Sequence, residues 1–269
     1  MKKVKTLAIL NFIFFVIAFT VSNLSQLKLF GGQTNADVSG KYETVFTPAG
    51  ITFAIWGVIY LSLFGFTIFH LIKAYQEDVH SEASQSLLKI GNLFILNNIA
   101  TTFWVFAFTY EYLFLSMVLI IIQLITLLLI FIRLNLWDLN KSFNNKLYTQ
   151  FPLSIYFAWL CVACAANISL YLVAINFDGF GIIASDWAII LIIIVTLVSI
   201  FIVGVKKNVS FGLVIIWAFY GIYLKQQDLN PLASEMVIRF SLYGMMFTAI
   251  VSIITLVKNW RYKRREVNA

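Results

Sequence analysis

Residues 152–167 read Pro-Leu-Ser-Ile-Tyr-Phe-Ala-Trp-Leu-Cys-Val-Ala-Cys-Ala-Ala-Asn and sit inside an apolar run long enough to cross a bilayer. The run is not uniform. At about 100° per residue, Tyr156, Trp159, Ala163 and Asn167 fall within roughly 80° of one another on a helix. A lipid-facing side has no use for an indole, a small residue and an amide in register. A helix lining an occupied cleft does: Trp supplies a flat wall, Ala leaves room, and Asn offers directional hydrogen bonds.

The rest of the chain shares this apolar character. It is 61% hydrophobic and 12% charged, with a mean hydropathy of +0.90, which excludes an ordinary soluble domain. About eight runs are long enough to span, near 6–24, 51–73, 88–109, 112–132, 150–175, 184–204, 209–225 and 236–257. The expected fold class is therefore an all-α integral membrane protein, a bundle of about eight transmembrane helices. The first run reads as a span and not as a cleaved signal peptide, because it is long and no small-residue cleavage site followed by a soluble domain comes after it.

The net charge of +7 does not point to nucleic acid, because the basic residues follow topology. With a cytoplasmic N-terminus, all but four of the 19 Lys and Arg residues fall inside, the exceptions being Lys28, Lys41, Lys225 and Arg239. An even number of spans returns the basic tail, Lys258 to Arg265, to the same side, where it serves orientation and headgroup contact. The expected location is the cell membrane, multi-pass, with both termini cytoplasmic. The two cysteines, Cys161 and Cys164, form a C-x-x-C in mid-span without a βαβ context. The histidines, His70 and His80, lie elsewhere, so small-residue packing is preferred to redox or metal chemistry.

The longer connections are 25–47, 74–87 and 133–148. The first carries Gly-Gly-Gln-Thr-Asn-Ala-Asp and is long enough to fold over a bundle mouth; the last reads as a polar, basic linker. Thr47-Pro48 and Asn230-Pro231 each read as a helix cap followed by proline at the first helical position, and Pro152 lies in the first turn of its helix. No proline interrupts a span, so the broken helices of many secondary transporters are not expected. Glu235 and Arg239 have i,i+4 spacing near the start of the last run. No acid or base stands deep inside a span, and no nucleophile–base pair or metal cluster is evident, so nothing argues for ion pumping, hydrolysis or redox catalysis.

Trp137, Trp187 and Trp260 fall at span ends, where amphipathic rings favour the interface. Trp56, Trp104, Trp159 and Trp217 are deeper. Trp56 and Tyr60 are one turn apart on the second span; Asn97, Thr101, Trp104 and Phe108 share a face of the third. Each ring taken singly reads as packing. Trp56, Trp104, Ala163 and Asn167 fall at similar depth in the middle or outer half of the bilayer, with 25–47 as a lid, and together they read as a pocket.

These residues resemble the tryptophan-rich sensory protein family (TspO/MBR, translocator proteins). Pro48, Trp56 and Tyr60 match its Pro-x7-Trp-x3-Tyr pattern, and Tyr156, Trp159, Ala163 and Asn167 match Tyr-x2-Trp-x3-Ala-x3-Asn. The third span departs from the pattern: Thr101 stands where the family usually has Asn, and Asn97 and Asn98 come one turn earlier. The resemblance covers about residues 5–175 and implies a five-helix core over 1–175, with 176–269 a three-helix extension bearing the basic tail. In the extension, Phe211 to Ile222 look like a segment of long bacterial relatives.

The resemblance implies a membrane-embedded binding or sensory protein for a flat apolar ligand, whether porphyrin, haem or sterol-like, regulatory and not catalytic. Trp56, Trp104 and Trp159 would stack on the ring system; Asn98, Thr101 and Asn167 would supply polar contacts; Tyr60, Tyr156 and Ala163 complete the site. No cofactor is required on this reading beyond porphyrin or haem as ligand. The partners are the lipid bilayer and a small apolar molecule, with a homodimer left open. The alternative is a transporter or permease subunit for a small apolar molecule; a tetrapyrrole-modifying enzyme is the third reading.

Overall fold

The computed structural model describes residues 1–229 and 234–267, with side chains up to 264. The expected cap at Asn230-Pro231 and the side chain of Arg265 lie outside the described residues. The described chain is helical with no strand: α1 (Lys2–Gln26), α2 (Asn35–Lys41), a 3₁₀ turn (Gly50–Ala54), α3 (Ile55–Gln76), α4 (Glu82–Ile90), α5 (Leu93–Thr109), α6 (Leu113–Leu134), α7 (Phe151–Ala174), α8 (Ala184–Gly204), α9 (Val209–Leu229) and α10 (Glu235–Val267). Seven of these helical segments are long and apolar enough to cross a membrane, eight if α4 and α5 count as one span. In these segments only 28–56% of the most apolar stretch is buried, and rings and aliphatic chains such as Leu61, Phe103, Ile132 and Leu197 stay exposed. Such a surface is stable only against hydrocarbon. This is a multi-pass membrane protein.

Two compact units make up the chain. The first comprises 1–42 and 55–160, the second 43–54 and 161–269. The division falls inside α7, between Leu160 and Cys161. In the first unit α1 packs on α3, α4 and α5, and α5 pairs with α6. Helix α1 buries Val4, Leu7, Asn11, Phe15, Ala18, Ser22 and Ser25, a stripe at spacings of three and four that faces its neighbours. Phe15, Ile59, Leu63, Phe66, Leu87, Phe94 and Leu127 are fully buried, and Phe66 meets Phe94 edge-on at 5.0 Å. In the second unit α8, α9 and α10 all touch one another. Small residues let them do so: a Cβ on Gly212 would lie 2.6 Å from Ser252 Oγ, and one on Gly244 2.6 Å from Phe219.

Four expectations need correction. The third span is not one straight helix from residue 88. Residues 82–90 form α4, capped by Ser81 Oγ accepting from Ser84 N–H, and α4 bends by 55° into α5. The break is at Gly91, whose φ of +56° and ψ of −133° belong to a region that a side chain would forbid. A discontinuous helix therefore exists although no proline causes it. Second, Thr47-Pro48 does not cap a helix. Thr47 Oγ1 is 2.6 Å from Thr44 Oγ1, and the 3₁₀ turn starts two residues after Pro48. Third, segment 25–47 contains α2, closed by a capping box between Thr34 and Asp37. Fourth, polar burial begins inside linker 133–148, although Leu147 and Tyr148 at its end stay exposed. Asn145, Thr149 and Gln150 are buried; Asn145 Nδ2 donates to Ser86 Oγ at 3.0 Å and Gln150 Nε2 to Asn145 Oδ1 at 3.1 Å. A π-helical stretch, Lys146–Gln150, precedes α7; Pro152 lacks an N–H and its ring pushes away the carbonyl one turn back, which widens that turn. The i,i+4 pair of Arg239 with Glu235 is present as expected, at 2.5 Å.

Candidate functional site

Helix α3 starts directly after the 3₁₀ turn, so Trp56 and Tyr60 occupy its first two turns on one face. Their rings stack at 5.4 Å with an interplanar angle of 23°. From α7, Tyr156 and Trp159 present their rings edge-on to Trp56, at 6.1 Å and 6.2 Å. These separations lie in the range where aromatic pairs attract beyond their area. Trp159 and Tyr156 are 2% and 3% exposed, while Trp56 and Tyr60 are half-buried. The group thus has a fixed floor and an accessible indole.

The floor is fixed by hydrogen bonds. Tyr60 OH donates to Ser22 Oγ of α1 at 2.9 Å, and Phe19 abuts the Tyr60 ring at 5.4 Å. Tyr156 OH donates to Asn97 Oδ1 at 2.9 Å and lies 3.2 Å from Thr101 Oγ1. Asn97 Nδ2 in turn donates to Gln123 O and Thr126 Oγ1 of α6, at 3.0 Å and 2.8 Å. Thr101 Oγ1 is 2.9 Å from both Asn97 O and Gln123 Oε1. Asn97, Thr101, Gln123, Thr126 and Tyr156 are all buried. In a low-dielectric interior a satisfied network of this kind holds helices in one register.

The expected site residues therefore separate into groups. Trp56, Tyr60, Tyr156 and Trp159 come together as one aromatic group. Thr101 and Tyr156 spend their polar atoms on the α5–α6–α7 network. Asn98 is buried and turns back on its own helix, its Nδ2 donating to Phe94 O at 2.7 Å. Trp104 stacks on Phe108 at 5.0 Å and 17°, and its buried Nε1–H has no hydrogen-bond partner among the described residues. Ala163 and Asn167 continue the Trp159 face of α7 one and two turns on, half-buried and buried respectively, in the part of the helix that belongs to the second unit.

Sequence reasoning passed over Gln123, Thr126 and Ser22. The signal for Gln123 was available: a lone amide in the middle of an otherwise aliphatic span needs a partner helix. It also passed over Glu111, in the turn between α5 and α6. Its carboxylate accepts from Gln33 Nε2 at 2.9 Å, Lys41 Nζ at 2.6 Å and Tyr42 OH at 2.6 Å, and Gln33 also donates to Thr109 O at 2.9 Å. These donors, Gln33 first, then Lys41 and Tyr42, hold the Glu111 carboxyl down at about 2. Lys28 pairs with Asp37 at 2.9 Å across the same segment. Residues 28–42 are in this way pinned to the α5–α6 turn.

Among the described residues no three His, Cys, Asp or Glu side chains converge to hold a metal ion. Cys161 and Cys164 are free thiols, half-buried and buried, and His70 is enclosed between Phe66 and Phe69 with Nε2 3.0 Å from Thr149 Oγ1.

No curated protein and no solved structure matches the chain. The family model for TSPO-like proteins matches residues 8–256, through the last three spans as well as the first five. With the motif residues of α3 and α7 gathered into one aromatic group inside a multi-pass helical protein, and the family match running through most of its length, the chain belongs to the TSPO-like protein family.

Proposed function

We propose that the aromatic group of α3 and α7 binds a flat apolar ligand of the porphyrin or haem type, and that the protein is a membrane-embedded binding and sensory protein rather than an enzyme. The observation that carries this reading is the state of Trp56. Its indole is half-buried and backed by three rings, two of which are tethered through their hydroxyls to other helices. A platform held in place before the ligand arrives costs little ordering on binding, and a stacked tetrapyrrole would take the exposed indole face. Ala163 and Asn167 follow Trp159 on the same face of α7. The orientation with both termini cytoplasmic belongs to this proposal and rests on the placement of Lys and Arg.

The test is porphyrin titration by tryptophan-fluorescence quenching in detergent. Trp56→Phe removes the indole face and should weaken binding by about 1–3 kcal/mol, as for aromatic anchors generally. Ala163→Phe should weaken it at least as much by occupying volume. Trp260→Phe is the control, because that ring lies at the far end of α10, 4.1 Å under Arg264, and it should bind like the parent. Equal affinity in all three variants would sink the proposal. A passive carrier of small apolar molecules is the second reading, favoured by the 55° break between α4 and α5.

A further inference from the structure

Segment 43–54 belongs to the second unit although α3, which follows it without a break, belongs to the first. What holds the segment is α9. Trp217 Nε1 donates to Thr52 O at 2.9 Å, Gln226 Nε2 to Val45 O at 2.8 Å, and Lys225 Nζ reaches Thr44 O at 3.4 Å. Between them, Ala49 N–H donates to Gly221 O at 2.9 Å. Trp217, Gly221 and Lys225 lie at i, i+4 and i+8, one stripe of the helix, and they meet Thr52, Ala49 and Thr44 in the reverse order, so the segment runs antiparallel to α9.

The fit is also steric. A Cβ on Gly221 would lie 2.0 Å from Thr52 Oγ1 and 2.9 Å from Pro48 Cβ, so the segment rests on bare helix backbone. Thr44, Phe46, Thr47 and Thr52 are buried, and Thr47 N–H donates to Thr44 Oγ1 at 3.0 Å. Connecting segments normally run over the surface, because burial leaves backbone groups without partners; here α9 side chains supply those partners. The functional consequence follows from chain continuity. Gly50–Gln76 is one continuous helical span, and Trp56 stands one turn beyond Thr52, whose carbonyl Trp217 holds.

We propose that α9 is a receptor for segment 43–54, and that Trp217, Gly221 and Gln226 are positioning residues that set the first turn of α3 and hence the Trp56 platform. This rests on the ligand-binding reading for its functional consequence, and on the hydrogen bonds and the Gly221 contact for its structural one. The C-terminal helices are then part of the binding machinery and not an appended domain.

The experiment uses the full chain in detergent and two readouts: amide hydrogen exchange, and titration with protoporphyrin. Trp217→Phe keeps the ring but removes the donor. Gly221→Ala drives a methyl into Thr52, and Gly221→Ala combined with Thr52→Gly takes away the nearest obstruction, leaving only the 2.9 Å approach to Pro48 Cβ. Trp217→Phe and Gly221→Ala should each speed exchange about fivefold or more over residues 43–60, the size expected for loss of one hydrogen bond. They should weaken porphyrin binding severalfold and leave α5 and α6 protected as in the parent. The double variant should recover both readouts towards the parent, which loss of folding would not allow. Unchanged exchange over 43–54 would overturn the receptor assignment. Faster exchange confined to 43–54, with 55–60 as in the parent, or unchanged affinity beside faster exchange over 43–60, would overturn the positioning role. A parent that binds no porphyrin would sink the ligand reading alone, and exchange over 55–60 would still decide the positioning.

Discussion

Replacing Glu111 by Gln removes the charge to which residues 28–42 are fastened. The carboxyl is held at about 2, against an ordinary value of 4.5. At full strength a depression of that size corresponds to about 3 kcal/mol of preference for the folded segment. The Lys41 side chain is 56% exposed and that of Glu111 23%, so solvent screening reduces this to about 1–2 kcal/mol. The sign follows from which state has the lower pKa. Because the folded value is the depressed one, the stabilisation is complete above about pH 4.5, the unfolded value, and is lost as pH falls from there towards about 2. The assay is hydrogen exchange of residues 27–42 in detergent between pH 6 and pH 3, corrected for intrinsic exchange. In the parent, opening of this segment should increase across that range by up to about 5–30-fold. In Glu111→Gln it should be raised at pH 6 and should change less on acidification than in the parent, the remaining dependence coming from Asp37. Asp37 also sits at about 2, through the Thr34 backbone N–H and Lys28, so Asp37→Asn is measured beside it. The reasoning is refuted if Glu111→Gln keeps the parent's protection at pH 6, or if Asp37→Asn alone abolishes the pH dependence.

Tyr156→Phe deletes the hydroxyl that donates to Asn97 Oδ1 and leaves a buried acceptor short of a donor, so thermal or denaturant unfolding in detergent should show a loss of about 1–2 kcal/mol. A cycle with Asn97→Leu should recover part of it; additive losses would mean that the two residues do not act as a pair. The double variant Cys161→Ala with Cys164→Ala should keep its fold and its porphyrin affinity, because both thiols are free and shielded. A drop of more than tenfold in affinity with the fold retained, measured by the same titration, would show that the C-x-x-C has a role in binding.

Much of the architecture was legible because spanning a bilayer leaves few solutions. Without water to satisfy backbone groups, each long apolar run must become a helix, and α1, α6, α8 and α9 stand within a few residues of where hydropathy puts them. The third span was misjudged because hydropathy is blind to a change of direction. The signal was Gly91 after the amphipathic 82–90, and a periodicity search that began at 82 would have met it. Thr47-Pro48 was misjudged for a different reason. Its cap preference is local, whereas the conformation of 43–54 is set by donors on α9 more than 160 residues away in sequence.

Residue types and their spacing determined by themselves that this is a multi-pass helical membrane protein, that Trp56 with Tyr60 and Tyr156 with Trp159 lie on common helix faces, and that the chain resembles the family to which it belongs. Periodicity is a property of one helix, and it states which side chains travel together. Tertiary structure alone decided which faces meet: that Tyr156 and Thr101 are bound into a network through Gln123, that Glu111 fastens 28–42, and that α9 receives the entry to α3. Those outcomes depend on distances between segments far apart in sequence, and a hydrogen bond or a ring contact forms only where packing brings its two halves within a few ångströms.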